Sequence, residues 1–404
     1  MQTGARYQAV LEILTEVFKD ETPADKIVND YLRARKYIGS KDRRFITDGV
    51  WKIIRNRLKL SFDARSTDPR AILLYAVRDK LAEVFDGAPH GLAPLTEAER
   101  FALSQENEDP YPDYVEAECP QWLFAKIKDL NFCKALNTEA TTDVRAHGLS
   151  RADLKRKLSA EGIAAREATY SPDGLKIDGR LVLNNCMAWQ DGWLEVQDEA
   201  SQIAALLTDV KPEHKIMDYC CGAGGKSLAI SNLLHNQGHI LAYDIDSRRL
   251  ENIKPRMSRL HVKNIELTDI VADSDRDFDR FVLDAPCSGT GTWRRSPDAK
   301  FRLTPEKLYG LTKIQADLLQ TAATKTAIGG RIIYITCSVL ADENEDIIKA
   351  FLHTHPNFAL FDIQNLWAEK IDAPYPAQSK YYLRMSPLTT ATDGFFVCIL
   401  TRRS

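Results

Sequence analysis

Apolar residues recur at helical spacing through the first sixty residues of the chain. Ala9, Leu11, Ile13, Leu14 and Phe18 share one face, and Ile46, Val50, Ile53, Ile54 and Leu58 share another, so two amphipathic helices are predicted. Gly39-Ser40-Lys41-Asp42 is the turn and cap that opens the second. A third helix is predicted over residues 69–85, and the Gly-, Pro- and acid-rich stretch 86–120 reads as loop with a short helix over 96–104. The texture changes near Thr141. A capped helix is predicted from Ser150 to Gly162, followed by short segments at 164–168, 174–177 and 181–183, which together read as a small α/β module. Beyond His214 strands and helices alternate. Strands are predicted at 215–219, 239–243, 265–267, 280–283 and 331–335, with helices at 226–234, 247–260 and 305–328 between them. A late strand at 394–400 is expected at or near a sheet edge.

This alternation predicts a mostly parallel, Rossmann-like α/β sheet covered on both faces, whose ligands bind beyond the carboxyl ends of the strands. Three domains are expected: a helical one over 1–135, the small α/β module over 136–195 and the sheet domain over 196–404. A length of 404 residues suits two or three domains. No apolar run approaches the roughly 20 residues of a membrane span, and Met1-Gln2-Thr3-Gly4-Ala5-Arg6 has no leader pattern. Eight cysteines without CxxC spacing argue against a zinc ribbon, so no metal is expected, and a reduced, cytoplasmic monomer is.

Charge is unevenly spread. Between Arg33 and Lys59 ten Lys or Arg face only Asp42 and Asp48, with Tyr37, Phe45 and Trp51 interleaved, while 97–118 is strongly acidic. A solvated helix face and an RNA-contacting surface both fit the basic run.

Three motifs carry chemistry. In Asp218-Tyr219-Cys220-Cys221-Gly222-Ala223-Gly224-Gly225-Lys226-Ser227 a tight glycine turn joins a strand to a helix, and Asp244 follows at the end of the next strand. The turn misses the dinucleotide fingerprint and the phosphate loop by one residue each. A strand, a glycine turn and a ribose-binding acid remain, which indicate a nucleoside-containing cofactor. In Asp284-Ala285-Pro286-Cys287 a proline stiffens the turn that presents a thiol beside an acid, and Ser288-Gly289-Thr290-Gly291-Thr292 and Trp293-Arg294-Arg295 follow. Thr336-Cys337-Ser338 repeats the geometry after 332–335, with Gly329-Gly330 read as the stop of the long helix. Capping of the next helix accounts for Asp342-Glu343-Asn344-Glu345. Two thiols at neighbouring strand ends suit covalent chemistry.

These motifs, with Gln197-Asp198-Glu199-Ala200-Ser201, Asp244-Ile245-Asp246 and Asp393-Gly394-Phe395-Phe396, resemble those of the RNA cytosine-carbon-5 methyltransferases over residues 195–400. The N-terminal helices look like the NusB-like domain fused to bacterial members. The resemblance implies S-adenosylmethionine as cofactor, bound by Cys220, Cys221, Gly222, Ala223, Gly224, Gly225, Lys226, Asp244, Asp269 and Asp284. It assigns the attacking thiolate to Cys337, the ring contact at nitrogen-3 to Asp284 and release of the product to Cys287. Lys226, Arg294, Arg295 and Lys300 are candidates for RNA phosphates, and ribosomal RNA is the favoured substrate, with transfer RNA as the alternative. One departure is visible: Cys221-Gly222-Ala223 stands where the family has Ala-Ala-Pro, so an altered cofactor affinity is expected. Two rival readings are a DNA cytosine methyltransferase, whose nucleophile is the Pro-Cys thiol and which carries a Glu-Asn-Val motif absent here, and a non-catalytic RNA-binding or antitermination factor.

Overall fold

The computed structural model describes the chain except residues 20, 106, 180, 269–276 and 404. It divides into two compact units, Met1–Thr138 with Thr292–Thr304, and Glu139–Gly291 with Pro305–Ser404. The first departs from the expected domain over 1–135, because residues 292–304 leave the sheet unit and complete the helical one. Among the described residues, no helix is long and apolar enough to cross a membrane.

The helical unit packs Thr3–Lys19, Ala24–Ala34 and Ser40–Arg55 around Val10, Ile13, Leu14, Ile46, Val50 and Ile54. The single helix predicted through Leu58 breaks at Asn56, and a second helix, Arg57–Asp63, follows. The stretch 69–85 likewise splits, into Pro69–Ala76, a 3-10 turn and Leu81–Val84. Glu97–Ser104 opens with a capping box in which Thr96 and Glu99 satisfy each other's backbone N–H groups. Residues 292–304 are built into this core. Asp298 accepts from the Ala24 backbone N–H at 3.0 Å. The Arg57 guanidinium lies between the Phe18 and Phe301 rings, 3.8 and 4.7 Å from their centroids, and Trp293 is buried.

The sheet unit holds two sheets. Strands β1 (Thr142–Ala146), β2 (Ala165–Glu167), β3 (Gly174–Ile177) and β4 (Leu194–Val196) form an antiparallel sheet in the order β2-β3-β1-β4. The segment 181–183 is not a strand; a 3-10 turn begins at Leu183. Strand β4 runs across the expected boundary at 195/196, so the small module continues into the larger layer. Buried side chains fasten the two. Lys176 Nζ lies 2.9 Å from Glu199 and 3.9 Å from Asp143 and donates to the Ala391 carbonyl. Glu195 accepts from Arg259 at 2.9 Å. Removing one partner from such a buried ion pair costs about 3–5 kcal/mol, because the other charge stays behind unpaired.

The large sheet comprises β5 (Lys215–Tyr219), β6 (His239–Tyr243), β7 (Ile265–Thr268), β8 (Phe278–Asp284), β9 (Thr326–Thr336), β10 (Phe358–Leu360), β11 (Tyr382–Met385) and β12 (Phe395–Arg402). Its order is β10-β12-β9-β8-β5-β6-β7, with β11 added to β12. Strands β7, β6, β5, β8 and β9 are parallel, and β12 is antiparallel to β9. The late strand therefore sits one place in from the edge formed by the short β10. Helices Gly225–Leu233 and Pro305–Lys325 are among those covering the sheet. Gly329-Gly330 is not a helix stop. The helix ends at Lys325, and Gly329, at φ +79°, lies inside β9 beside a register irregularity in its pairing with β8.

Candidate active site

The central parallel strands deliver their loops to one end of the sheet. After β5, Cys220, Gly222 and Gly224 all have positive φ, which coils the loop tightly before the helix at Gly225. Gly224 is packed so closely on Ile253 that a Cβ would lie 2.9 Å from it, whereas a Cβ on Gly222 would meet open space. Gly222 thus serves by its conformation and leaves room beside the backbone. Asp244, at the end of β6, is buried and accepts from the Gly222 N–H at 2.8 Å and the Asp246 N–H at 2.9 Å. Ala223, where the resembling family has proline, is tethered instead by Arg256, which donates to its carbonyl. Gln197 reaches the Gly225 carbonyl at 3.2 Å, which explains why a motif thirty residues upstream belongs to this site.

Under the loop lies Asp218, the first residue of the glycine-turn motif and not one of the ligands expected from sequence. It is fully buried, accepts from Ser227 Oγ on one oxygen and has no partner on the other. Burial pushes its carboxyl up to about 7. An orphaned acceptor beneath an open glycine turn, with a ribose-type acid on the adjacent strand, fits a nucleoside-bearing ligand that carries hydrogen-bond donors. The signal in sequence was an acid at the end of an apolar strand directly before the turn. Cys220 and Cys221 are not reactive thiols here, since burial raises both, Cys220 to about 12.

At the end of β8, Asp284 accepts from Lys226 Nζ at 2.6 Å, and the ammonium also lies 5.3 Å from the centre of the Phe395 ring. The pair joins the cofactor loop to the strand that carries the first thiol. Cys287 and Cys337 are brought together, with their Sγ atoms 3.3 Å apart. Each loop is held from behind. The Cys337 carbonyl accepts from Gly291 N, and the Gly291 carbonyl accepts from Gly394 N at 2.8 Å; a Cβ on Gly291 would sit 2.1 Å from the Gly394 oxygen. Thr290 Oγ1 lies 3.1 Å from Ser338 Oγ and accepts from Val339 N. Asn344 accepts from Thr336 Oγ1 and donates to the Ser338 carbonyl. Glu343 accepts from Ser288 N at 2.8 Å, from Ser288 Oγ and from Gln315 at 3.0 Å. Glu343 and Asn344 therefore bind loops; neither side chain caps the following helix.

The remaining expected residues divide. Asp269 lies outside the described residues. Lys300 is fully buried in the helical unit, where its ammonium donates to Asn137 Oδ1 at 2.9 Å. Burial lowers it to about 8 against the opposing charge of Glu118. It is unavailable to an RNA phosphate and is a core residue. Arg294 is buried too, and its carbonyl accepts from Arg55 at 2.8 Å. Among the described residues no cluster of His, Cys, Asp and Glu is placed to hold a metal ion.

A parallel sheet with one antiparallel strand next to its edge, a glycine turn and acid at the first two strand ends and polar loops beyond the next define a Rossmann-like methyltransferase domain. Residues 204–401 match the model of the family described as 16S rRNA methyltransferase RsmB/F. This stretch is similar to that family's methyltransferase domain. The "Probable ribosomal RNA small subunit methyltransferase B" of Bacillus subtilis is 29% identical over 305 residues, which cover 72% of this chain and 67% of that protein. The crystal structure of PH0851 superposes with a TM-score of 0.78 at 23% identity, over 99% of this chain and 98% of its own. That of NSun6 from Pyrococcus horikoshii with SFG gives 0.63 at 20% identity, over 72% of this chain and all of its own.

Proposed function

We propose that this protein methylates carbon-5 of a cytosine in RNA with S-adenosylmethionine as donor, and that its substrate is small-subunit ribosomal RNA. The observation that carries this reading is the pair of facing thiols at the ends of β8 and β9, next to the Asp284–Lys226 pair and the cofactor loop. The family of residues 204–401 and the name of the Bacillus relative support the RNA substrate. The crystal structure of NSun6 with SFG supports the donor.

Carbon-5 of cytosine is a poor nucleophile, and the protein's task is to activate it. The Cys337 thiolate adds to carbon-6, forming a C–S bond and moving the ring electrons towards carbon-5. Asp284, placed by Lys226, donates from its protonated form to nitrogen-3, which offsets the negative charge that develops on the ring as Cys337 adds. S-adenosylmethionine, when bound, supplies an electrophilic methyl group on a sulfonium. The Cys287 thiolate then takes the carbon-5 proton, the C–S bond to Cys337 breaks and the aromatic ring is restored. Asp244, Gly222 and the rest of the 220–226 turn hold the donor's nucleoside end. The target base has to be unpaired or flipped for a thiol to reach its face.

In the helical unit the basic run divides by exposure. Arg33, Lys36, Lys41, Arg44 and Lys52 are exposed, whereas Arg43 and Arg55 donate to backbone carbonyls and Lys59 pairs with Glu116. The exposed group supplies phosphate contacts, which give affinity without sequence choice. The test is to incubate the purified protein with S-adenosylmethionine and a 16S ribosomal RNA transcript and to map 5-methylcytosine by bisulfite sequencing. One protected cytosine is expected. Methylation at another ring position, or none, overturns the reading.

A further inference from the structure

Two equivalent thiols 3.3 Å apart do not by themselves decide which attacks. Chain neighbours do not decide it either, since each thiol follows a buried strand in a polar loop. The environment behind them does. Glu343 is fully buried, and its carboxylate is approached by the Ser288 N–H, the Ser288 hydroxyl and the Gln315 amide. Gln315 also donates to the Pro286 carbonyl at 2.9 Å, and the Tyr334 hydroxyl donates to the Glu343 carbonyl at 2.7 Å. The residues on both sides of Cys287 are thus tied to Glu343, Ser288 directly and Pro286 through Gln315. Donors alone converge on Glu343, the environment of an ionised carboxylate.

We propose that Glu343 is the positioning residue that makes the two thiols unequal, holding Cys287 as the hydrogen donor of the pair and leaving Cys337 as the nucleophile. This rests on the methyl-transfer reading above. The titratable groups facing Cys287 are Cys337, Glu343 and Tyr334, and none of them is a cation. The Cys337 thiol, burial and the Glu343 charge together hold Cys287 well above its ordinary range. Before reaction, the Cys287 S–H points its proton at the Cys337 sulfur. Once Cys337 is bonded to carbon-6 its negative charge is gone. Cys287 then releases its proton to water and, as a thiolate, takes the carbon-5 proton while the C–S bond breaks. The cycle ends with Cys287 protonated and Cys337 a thiolate again, and one proton has gone to solvent.

The test uses the full chain, without RNA or cofactor, alkylated with iodoacetamide across a pH series and read residue by residue by mass spectrometry. Cys337 is expected to label at lower pH than Cys287. Glu343→Gln keeps the shape of the side chain and removes its charge, so the Cys287 midpoint should fall by about one pH unit, towards that of Cys337. An unchanged Cys287 midpoint in a folded Glu343→Gln protein, or a wild type in which Cys287 labels first, overturns the proposal. A second arm mixes Glu343→Ala with a 16S ribosomal RNA transcript and S-adenosylmethionine. A denaturant-resistant protein–RNA complex should accumulate as it does for Cys287→Ala, and Glu343→Asp should partly restore release. If Cys287→Ala itself yields no complex, the methyl-transfer reading fails, and the alkylation midpoints alone decide the role of Glu343.

Discussion

Cys287 Sγ lies 3.3 Å from Cys337 Sγ, across two strands that pair in parallel with Asp284 opposite Ile335. The short separation lets both sulfurs act on one ring. Cys337→Ala should abolish methylation and form no covalent RNA complex. Cys287→Ala should attack, transfer methyl and stall, because only the exit step is removed. A denaturing gel with labelled RNA reads both outcomes. A complex with Cys337→Ala but not with Cys287→Ala would reverse the roles.

Asp244, the proposed ribose acid, already accepts from the Gly222 N–H. Asp244→Ala should weaken S-adenosylmethionine binding by ~1.5–3 kcal/mol for each charged hydrogen bond lost, roughly 10- to 100-fold in Kd. Calorimetry on the folded variant measures it, and unchanged affinity would put the ribose elsewhere.

Asp218 predicts a pH dependence of stability. Its carboxyl is raised from 3.8 to about 7, chiefly by burial. Between these values the unfolded chain has lost the proton and the folded one keeps it, so the contribution of this group to stability falls as pH rises from about 4 to 7. Asp218→Asn can keep the Ser227 contact without the charge. Its stability in urea, relative to wild type, should improve by about 2–4 kcal/mol between pH 4.5 and 7.5. An equal difference at both pH values would show that the acid is not held neutral.

Lys300 and the exposed cations should respond in opposite ways. Lys300→Glu places a second acid beside Glu118 and should unfold the helical unit at lower temperature, a loss of several kcal/mol. Reversing Arg33, Lys36 and Lys41 together should leave the melting temperature nearly unchanged, raise the RNA Kd and flatten its salt dependence. RNA affinity that stays unchanged at low salt would make the basic run a solvated face.

The parallel sheet was legible because β5, β6, β8 and β9 are apolar runs ending in Gly, Asp or Cys loops, a pattern that packing and ligand chemistry both impose. Short β10 and β11 were not legible: each is only three or four residues and takes its conformation from pairing with β12. Asp244, Asp284 and the thiols stood out because an acid or thiol at a buried strand end is costly without a task. Lys300 and Arg294 misled because a Trp-Arg-Arg loop looks solvated on a linear reading, and only tertiary packing puts Lys300 against Glu118 and Asn137. Glu343 was mistaken for a helix cap for the converse reason. Its partners Ser288 and Gln315 are distant in sequence, so local pattern assigned it to the nearest helix.

The excursion of residues 292–304 has a consequence for how this gene can be divided. A cut after residue 138 would free the sheet unit of its helical neighbour on paper, but would strand Trp293, Lys300 and Phe301 without the residues that bury them. The excised helices would in turn lack the Asp298 acceptor for Ala24 and the Phe301 face for Arg57. Neither half is a portable module. Any exchange of the helical unit between relatives would have to carry residues 292–304 with it.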